Sequence, residues 1–411
     1  MEFLKVDTLE TAREKLLESA KNHFIYTETR TLDNTPGCIA AEDVFAIEDV
    51  PAFRRSTVDG FAVLAADTAA TGDSIPVFLT LKGHVDIGQA ATISIGRGEC
   101  VDVPTGGMVP DGADAVVMVE YTEPFGMDGI SISKSAAYGE NIVLPGEDTK
   151  IGDLLLKRGK RMTPQDIGIL AACGVINVLV YVPPKVTIIS TGDELVDAAQ
   201  NQPCAMGKVR DINSHAIAAL ARKHDFDVLD TSVLPDDEAI LTQAIEAAMQ
   251  ASDIVIVSGG SSKGKKDLTR PIFDKVSKLG VYTHGIAIKP GKPTILGYDD
   301  TTSTLLVGLP GHPVSAMMVF ELLLGWVLQS VTGCRAAFAI PARLSSNIAS
   351  SPGKLTCWPC QLNHEADGYI AKPIFGKSGL ITTLTQADGY FTTPRNIEGL
   401  PKGHVVMVNL F

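Results

Sequence analysis

Ile254-Val255-Ile256-Val257 runs directly into Ser258-Gly259-Gly260-Ser261-Ser262-Lys263-Gly264-Lys265-Lys266-Asp267. Four consecutive β-branched residues describe a strand buried on both faces, as in parallel sheets covered by helices. The glycines that follow let the backbone approach a ligand and turn its N–H groups outward, and the lysines add fixed charge. The same grammar recurs twice. Gly285-Ile286-Ala287-Ile288 leads into Lys289-Pro290-Gly291-Lys292-Pro293, and Thr304-Leu305-Leu306-Val307 leads into Gly308-Leu309-Pro310-Gly311-His312-Pro313. Loops of this kind at the carboxyl ends of parallel strands are where open α/β sheets hold anions.

Outward from these loops, strands alternate with helices. Val186–Ser190 reads as a strand, Asn213–Lys223 as a helix with Ile217 and Leu220 inward, Asp227–Leu234 as extended and Asp237–Gln250 as helical. A helix over Asp267–Lys278, strands ending at Ile288 and Val307, and a helix from Pro313 to Val331 complete the set. Over residues 185–333 this order predicts a mostly parallel, doubly wound sheet with right-handed crossovers. Upstream, Val6–Ala20 carries Leu9, Ala12, Leu16 and Leu17 at helical spacing, with Asp7 or Thr8 as cap. Residues 25–50 read as short extended pieces around Pro36-Gly37. From Asp73 to about Asp148 short alternating strands and glycine turns predict an inserted β module. Thr163-Pro164 opens a helix that Gly174 ends. From Ala339 strands return, with turns at Pro352-Gly353, Asp367-Gly368 and Asp388-Gly389.

A chain of 411 residues exceeds one compact core, so two to four domains are expected. The formal net charge of −13 leaves no basic stripe for a phosphate backbone, which excludes a nucleic-acid binder. Met1–Ala20 alternates charged and apolar residues and reads as an amphipathic helix, no signal peptide. No apolar run is expected to span a membrane, and a cytoplasmic location is expected. The seven cysteines are scattered singly except for Cys357-Trp358-Pro359-Cys360, which fits a reducing compartment. That pair follows no βαβ pattern and has no second pair at ligand spacing, so it reads as two small buried strand residues; a redox or half-zinc role is the alternative.

Each candidate also has a plain reading. Thr191-Gly192-Asp193-Glu194 reads equally as an Asx-capped turn and as a purine or ribose acceptor. Ser258, Gly259, Gly260, Ser261, Ser262 and Gly264 offer hydroxyls and amides to an anion, since a solvated turn needs no glycine pair on a buried strand. Asp267 is either a helix cap or a Mg²⁺ ligand, with Asp236 or Asp237 as the second carboxylate. Lys289 and Lys292 flank a rigid turn and suit a tetrahedral oxyanion. Pro310 and Pro313 bracket Gly311 at a helix N-terminus; His312 is a general base or, more simply, a cap or packing residue. Asp59 before Gly60, Thr105-Gly106-Gly107 and Gly146-Glu147-Asp148 are ordinary turns when taken singly.

Taken together, these segments resemble the MoeA family of molybdopterin molybdotransferases, whose relatives include the E domains of gephyrin-like proteins. The resemblance runs through Asp49-Val50-Pro51, Ser56-Thr57-Val58-Asp59-Gly60-Phe61-Ala62-Val63, Pro104-Thr105-Gly106-Gly107, Gly112-Ala113-Asp114-Ala115-Val116-Val117 and Gly146-Glu147-Asp148. It continues through Ser190-Thr191-Gly192-Asp193-Glu194-Leu195, the 258–267 loop, Lys289-Pro290-Gly291-Lys292-Pro293 and Leu309-Pro310-Gly311-His312-Pro313. It implies an elongated homodimer of four domains. These are an N-terminal helical and extended domain (1–48 and 147–182), the β module (49–146), an α/β molybdopterin-binding domain (183–335) and a small C-terminal β barrel (336–411).

The implied reaction consumes adenylyl-molybdopterin and molybdate with Mg²⁺ and yields molybdenum cofactor and AMP. Motif match implies reaction roles for Asp59, Asp148, Asp236, Asp267 and Lys289, with Mg²⁺ on Asp236 and Asp267. Substrate contacts are implied at Thr105, Thr191, Gly192, Asp193, Glu194, Ser258–Ser262, Gly264, Lys292, Pro310, Pro313 and Ser378. The molybdopterin adenylyltransferase is the implied protein partner, and a dimeric cleft closed by the partner's β module would unite these groups. The chain departs from the family pattern at Val143-Leu144-Pro145, where basic residues are usual, and at Pro359, where an arginine is usual. A non-catalytic scaffold on the same fold and a tungstate-using enzyme are the alternatives.

Overall fold

A computed structural model describes residues 6–20, 25–72, 74–199, 203–259, 268–334 and 338–411. Two compact units divide the chain. One comprises Met1–Glu28, Arg158–Arg161 and Leu179–Phe411, the other Thr29–Lys157 and Met162–Val178.

The first unit opens with helix α1 (Leu9–Ala20), which buries Leu9, Ala12, Leu16 and Ala20, a three-to-four-residue repeat along one face. Of the two expected caps threonine is the one used: Thr8 Oγ1 accepts the Thr11 N–H at 3.1 Å. Asp7 instead pairs with Lys15 and accepts the Thr283 hydroxyl at 2.7 Å.

The second unit holds a six-stranded sheet. Its strands are β1 (Gly60–Val63), β2 (Val77–His84), β3 (Glu99–Val103), β4 (Ala115–Met118), β5 (Thr122–Phe125) and β6 (Gly129–Ile132), in the order β4-β1-β3-β2-β6-β5. Only β2 and β3 run parallel. At Gly60 a Cβ would lie 2.0 Å from the Val117 carbonyl oxygen, so only glycine lets β1 and β4 close. Helix α2 (Pro164–Ala172) begins at a capping box between Thr163 and Asp166, and Gly174 follows it at φ +73°.

The central sheet of the first unit follows the strand–helix alternation. Its elements are β7 (Lys185–Thr191), α3 (Asn213–Lys223), β8 (Asp227–Leu234), α4 (Glu238–Met249), β9 (Ile254–Gly259), α5 (Thr269–Val276), β10 (Val281–His284), β11 (Ile288–Lys289), β12 (Ile295–Asp299), β13 (Thr304–Leu309) and α6 (Pro313–Phe320). The strand order is β8-β7-β9-β13-β12-β10, with β11 outside it. The first four run parallel, and β12 is antiparallel to both neighbours. Strand residues alternate between two cores: Ile188, Ile256 and Val307 pack with α1, α3 and α6, while Ile189, Val255 and Leu306 pack with α4 and α5. Phe273 on α5 is fully buried in the second core. Phe273→Ala is expected to cost about 3–5 kcal/mol, read as a fall in the thermal unfolding midpoint of the full chain.

Two sequence expectations are corrected here. Ile295–Asp299 is a sheet strand that the alternation did not reveal, because an antiparallel neighbour needs only a tight connection and no crossover helix. The strand expected to end at Ile288 ends at His284; Ile288 and Lys289 pair instead with Leu355 and Thr356 of the C-terminal region.

Beyond α6 the helix continues through a π turn (Glu321–Gly325) into α7 (Trp326–Thr332) and stops at Gly333, φ +72°. This Pro313–Thr332 run is long and apolar enough to cross a membrane by length and composition, which corrects the expectation that no run reaches that length. Of its apolar window 72% is buried inside the protein, the property of a core helix.

The C-terminal strands are β14 (Ile340–Leu344), β15 (Leu355–Glu365), β16 (Gly368–Pro373), β17 (Gly389–Thr393) and β18 (Val405–Leu410). They pair in the cycle β15-β16-β14-β18-β17-β15, a closed five-stranded barrel without free edges. Cys357 and Cys360 lie three residues apart on β15 and therefore face opposite sides, one in the sheet core and one in the barrel core. Burial pushes each thiol up to about 12, so neither is a thiolate at neutral pH.

Candidate active site

Strand register builds the site. Thr191 lies opposite both Leu234 and Gly259, and Ser258 lies opposite Leu309, so β7, β8, β9 and β13 end at one level. Above that rim is a cleft of about 1700 Å³, whose walls include the start of β15 and residues 374–379 of the barrel. The whole cleft belongs to the first unit.

At its floor, Gly259 has φ +119°, and a Cβ there would sit 2.1 Å from the Thr191 carbonyl oxygen. Glycine is thus obligatory where the strand turns outward. The Thr191 hydroxyl donates to Asp236 Oδ1 at 2.7 Å, and the Asp236 N–H donates to Asp193 Oδ1 at 3.1 Å. Thr191, Asp193 and Asp236 therefore form one bonded notch, with Gly192 and Glu194 on the cleft wall beside it. Asp237 is drawn away as the cap of α4, accepting from the Ala239 and Ile240 N–H groups.

The 285–294 excursion leaves the same rim, since β10 runs in the direction of β13. It is pinned from within: the Ile286 N–H donates to the Lys292 carbonyl at 2.9 Å and the Thr294 hydroxyl to the Gly291 carbonyl at 2.7 Å. Lys289 and Lys292 are exposed at the cleft, and Lys289 Nζ donates to Ser351 Oγ at 2.9 Å. Lys354 and Lys377 also line it. Among the described residues none of these four lysines is in an ion pair, so their charge is available to an anion.

Pro310 and Pro313 line the cleft at the start of α6, and Pro313 is the helix's first residue. His312 Nδ1 lies 2.7 Å from Ser378 Oγ, and the Val314 N–H donates to the Ser378 carbonyl at 3.2 Å. Ser378 thus docks the barrel segment onto the helix N-terminus, and the His312 ring holds that docking. Trp358 and Phe375 meet edge to face at 5.8 Å on the cleft wall.

Asp59 and Thr105 meet in the second unit: the Thr105 N–H donates to Asp59 Oδ1 at 2.7 Å and holds that exposed carboxyl below its ordinary pKa. Asp148 is exposed in the same unit, its N–H on the Val50 carbonyl at 3.0 Å. Gly260, Ser261, Ser262, Gly264 and Asp267, with Lys263, Lys265 and Lys266, lie outside the described residues. Among the described residues no group of three or more His, Cys, Asp or Glu side chains could hold a metal.

Motif reading missed Asn213. It is buried, lines the cleft, and donates from Nδ2 to Ser258 Oγ at 2.8 Å and to the Gly311 carbonyl at 2.9 Å. Its only local signal is a polar residue opening a helix next to Asp211. Lys377, Trp358 and Phe375 are equally silent in sequence as cleft residues.

An open α/β sheet whose carboxyl rim carries glycine and lysine loops, walled by a small barrel, is the arrangement in which such sheets hold anionic ligands. Three family models cover nearly the whole chain: the MoeA N-terminal region (domain I and II) over residues 8–174, a probable molybdopterin binding domain over 187–329, and the MoeA C-terminal region (domain IV) over 341–411. The chain belongs to the MoeA family, a transferase family of molybdenum cofactor biosynthesis. The molybdopterin molybdenumtransferase of Haemophilus influenzae is 35% identical over 327 residues, covering 79% of this chain and 78% of its own. That of Bacillus subtilis is 32% identical over 390 residues, covering 93% and 90%. The crystal structure of the molybdopterin biosynthesis MoeA protein from Pyrococcus horikosii superposes with a TM-score of 0.85 at 34% identity, covering 99% of each chain.

Proposed function

We propose that this protein inserts molybdenum into adenylyl-molybdopterin, taking molybdate and Mg²⁺ and releasing AMP with the finished molybdenum cofactor. One observation carries the reading: Lys289, Lys292, Lys354 and Lys377 converge on a single cleft in a chain of net charge −13. Molybdate is a tetrahedral dianion, and ammonium groups with outward amides suit it as they suit a nucleotide phosphate. Glu194, on the cleft wall, is the proposed acceptor for a ribose or purine.

Asp236 and Asp267 are the proposed Mg²⁺ ligands. Asp236 is half-buried and spends Oδ1 on Thr191, with Asp193 alongside as a second carboxylate; this all-oxygen donor set fits Mg²⁺, which takes one or two carboxylates beside substrate phosphates. When bound, the ion supplies charge neutralisation at the phosphoanhydride oxygens. Lys289 and Lys292 hold the oxyanion, and Thr191 fixes the Asp236 carboxylate in place. The pterin dithiolene offers its own sulfur ligands, so no protein nucleophile is needed. Asp59, Thr105 and Asp148 are proposed reaction residues by motif match. The working form is proposed to be a homodimer that receives its substrate from the molybdopterin adenylyltransferase.

Purified protein given adenylyl-molybdopterin is expected to release AMP only when molybdate and Mg²⁺ are both present, and a chelator is expected to stop release. Release independent of molybdate would sink the reading. Competition between molybdate and tungstate at limiting concentration tests which oxyanion is used.

A further inference from the structure

We infer that Asn213 is a positioning residue that aims the His312 main-chain N–H at a substrate oxyanion; this rests on the oxyanion reading of the cleft. The Gly311 carbonyl can only accept, so it is the Asn213 amide nitrogen that faces it at 2.9 Å. The second proton of that nitrogen goes to Ser258 Oγ at 2.8 Å. One buried side chain therefore fixes the end of β9 and the turn before α6 together. In a trans peptide the carbonyl and the next N–H point in opposite directions. With the Gly311 carbonyl held by Asn213, the His312 N–H is turned away from it, and among the described residues it has no partner. Gly311 and His312 are exposed and both line the cleft, as does Asn213. A free main-chain donor at the start of a helix, fixed before the ligand arrives, is what an oxyanion recruits. The ligand chemistry is a tetrahedral oxyanion, either the nucleotide phosphate or molybdate.

His312 makes the test clean, because its φ of −77° and ψ of 126° are angles proline adopts. His312→Pro deletes the N–H and the ring, whereas His312→Ala deletes the ring alone. Calorimetric titration of the full chain with AMP and, separately, with molybdate is the readout. His312→Pro is expected to bind one of these anions about tenfold more weakly than His312→Ala, the loss of a hydrogen bond to a charged group. Asn213→Asp, which cannot donate to Gly311, is expected to weaken the same anion about tenfold, and to add little in the His312→Pro background because both act on one donor. In turnover the Asn213→Asp loss is expected in KM more than in kcat. Equal binding by His312→Pro and His312→Ala overturns the inference, and so does an Asn213→Asp penalty undiminished in the His312→Pro background. The first comparison stands even where Asn213→Asp fails to fold. Wild-type protein that binds neither anion overturns the oxyanion reading itself, whereas wild-type binding with indifferent variants overturns only the role of Asn213.

Discussion

Asp236→Asn is expected to lower AMP release by about 10²–10³-fold, the size of loss that follows removal of one preorganised electrostatic contact from an active site. The substitution is nearly isosteric. The amide oxygen still accepts the Thr191 hydroxyl that the carboxylate takes at 2.7 Å, and the backbone bond to Asp193 is untouched. The fold is therefore retained and the negative charge is lost. Asp267→Ala is expected to give a comparable loss, and the two together less than the product, because both are proposed to serve one ion. Raising Mg²⁺ is expected to recover part of the Asp236→Asn activity, the mark of a weakened metal site. Undiminished turnover in Asp267→Ala would refute its metal role, and an Asp236→Asn loss indifferent to Mg²⁺ would move Asp236 from metal binding to substrate contact.

Gly259→Ala is expected to be the most damaging single-methyl change in the cleft. The added carbon would fall 2.1 Å from the Thr191 carbonyl oxygen, a backbone atom of the adjacent strand that no rotamer change can move. The φ of +119° is also one that an L side chain rarely adopts. Strain and clash together are expected to cost about 3 kcal/mol or more, read as a lowered thermal midpoint. Gly311→Ala is the internal comparison for stability: its nearest neighbour is the Gly259 Cα at 3.6 Å, an ordinary contact, and its φ is not positive. If the two variants unfold at the same temperature, the strand-to-loop turn at Gly259 is not held as described.

Most of the parallel sheet is visible in the chain itself. Val186–Ser190 and Ile254–Val257 appear as strands because burial on both faces favours apolar and β-branched residues at consecutive positions, whereas Asp227–Leu234 is a largely exposed edge strand without such a run. Asn213–Lys223 appears as a helix because Ile217 and Leu220 repeat at helical spacing. Ile295–Asp299 escaped because its pairing partner, not its own pattern, makes it a strand. The Lys289 and Lys292 turn was legible as a candidate; its pairing with β15 through Ile288 and Lys289 was not.

Periodicity, caps and glycine turns act over a few residues, so the chain alone determines its helices, most of its strands and the family they compose. The cleft is decided by tertiary structure. Asn213 reaches partners 45 and 98 residues away, and Lys289 reaches Ser351 across 62. Lys354, Trp358 and Lys377 become cleft residues only because the barrel sits over the rim of the sheet. Contacts of that range depend on register and docking, and a side chain's chemistry does not reveal which distant carbonyl it will meet.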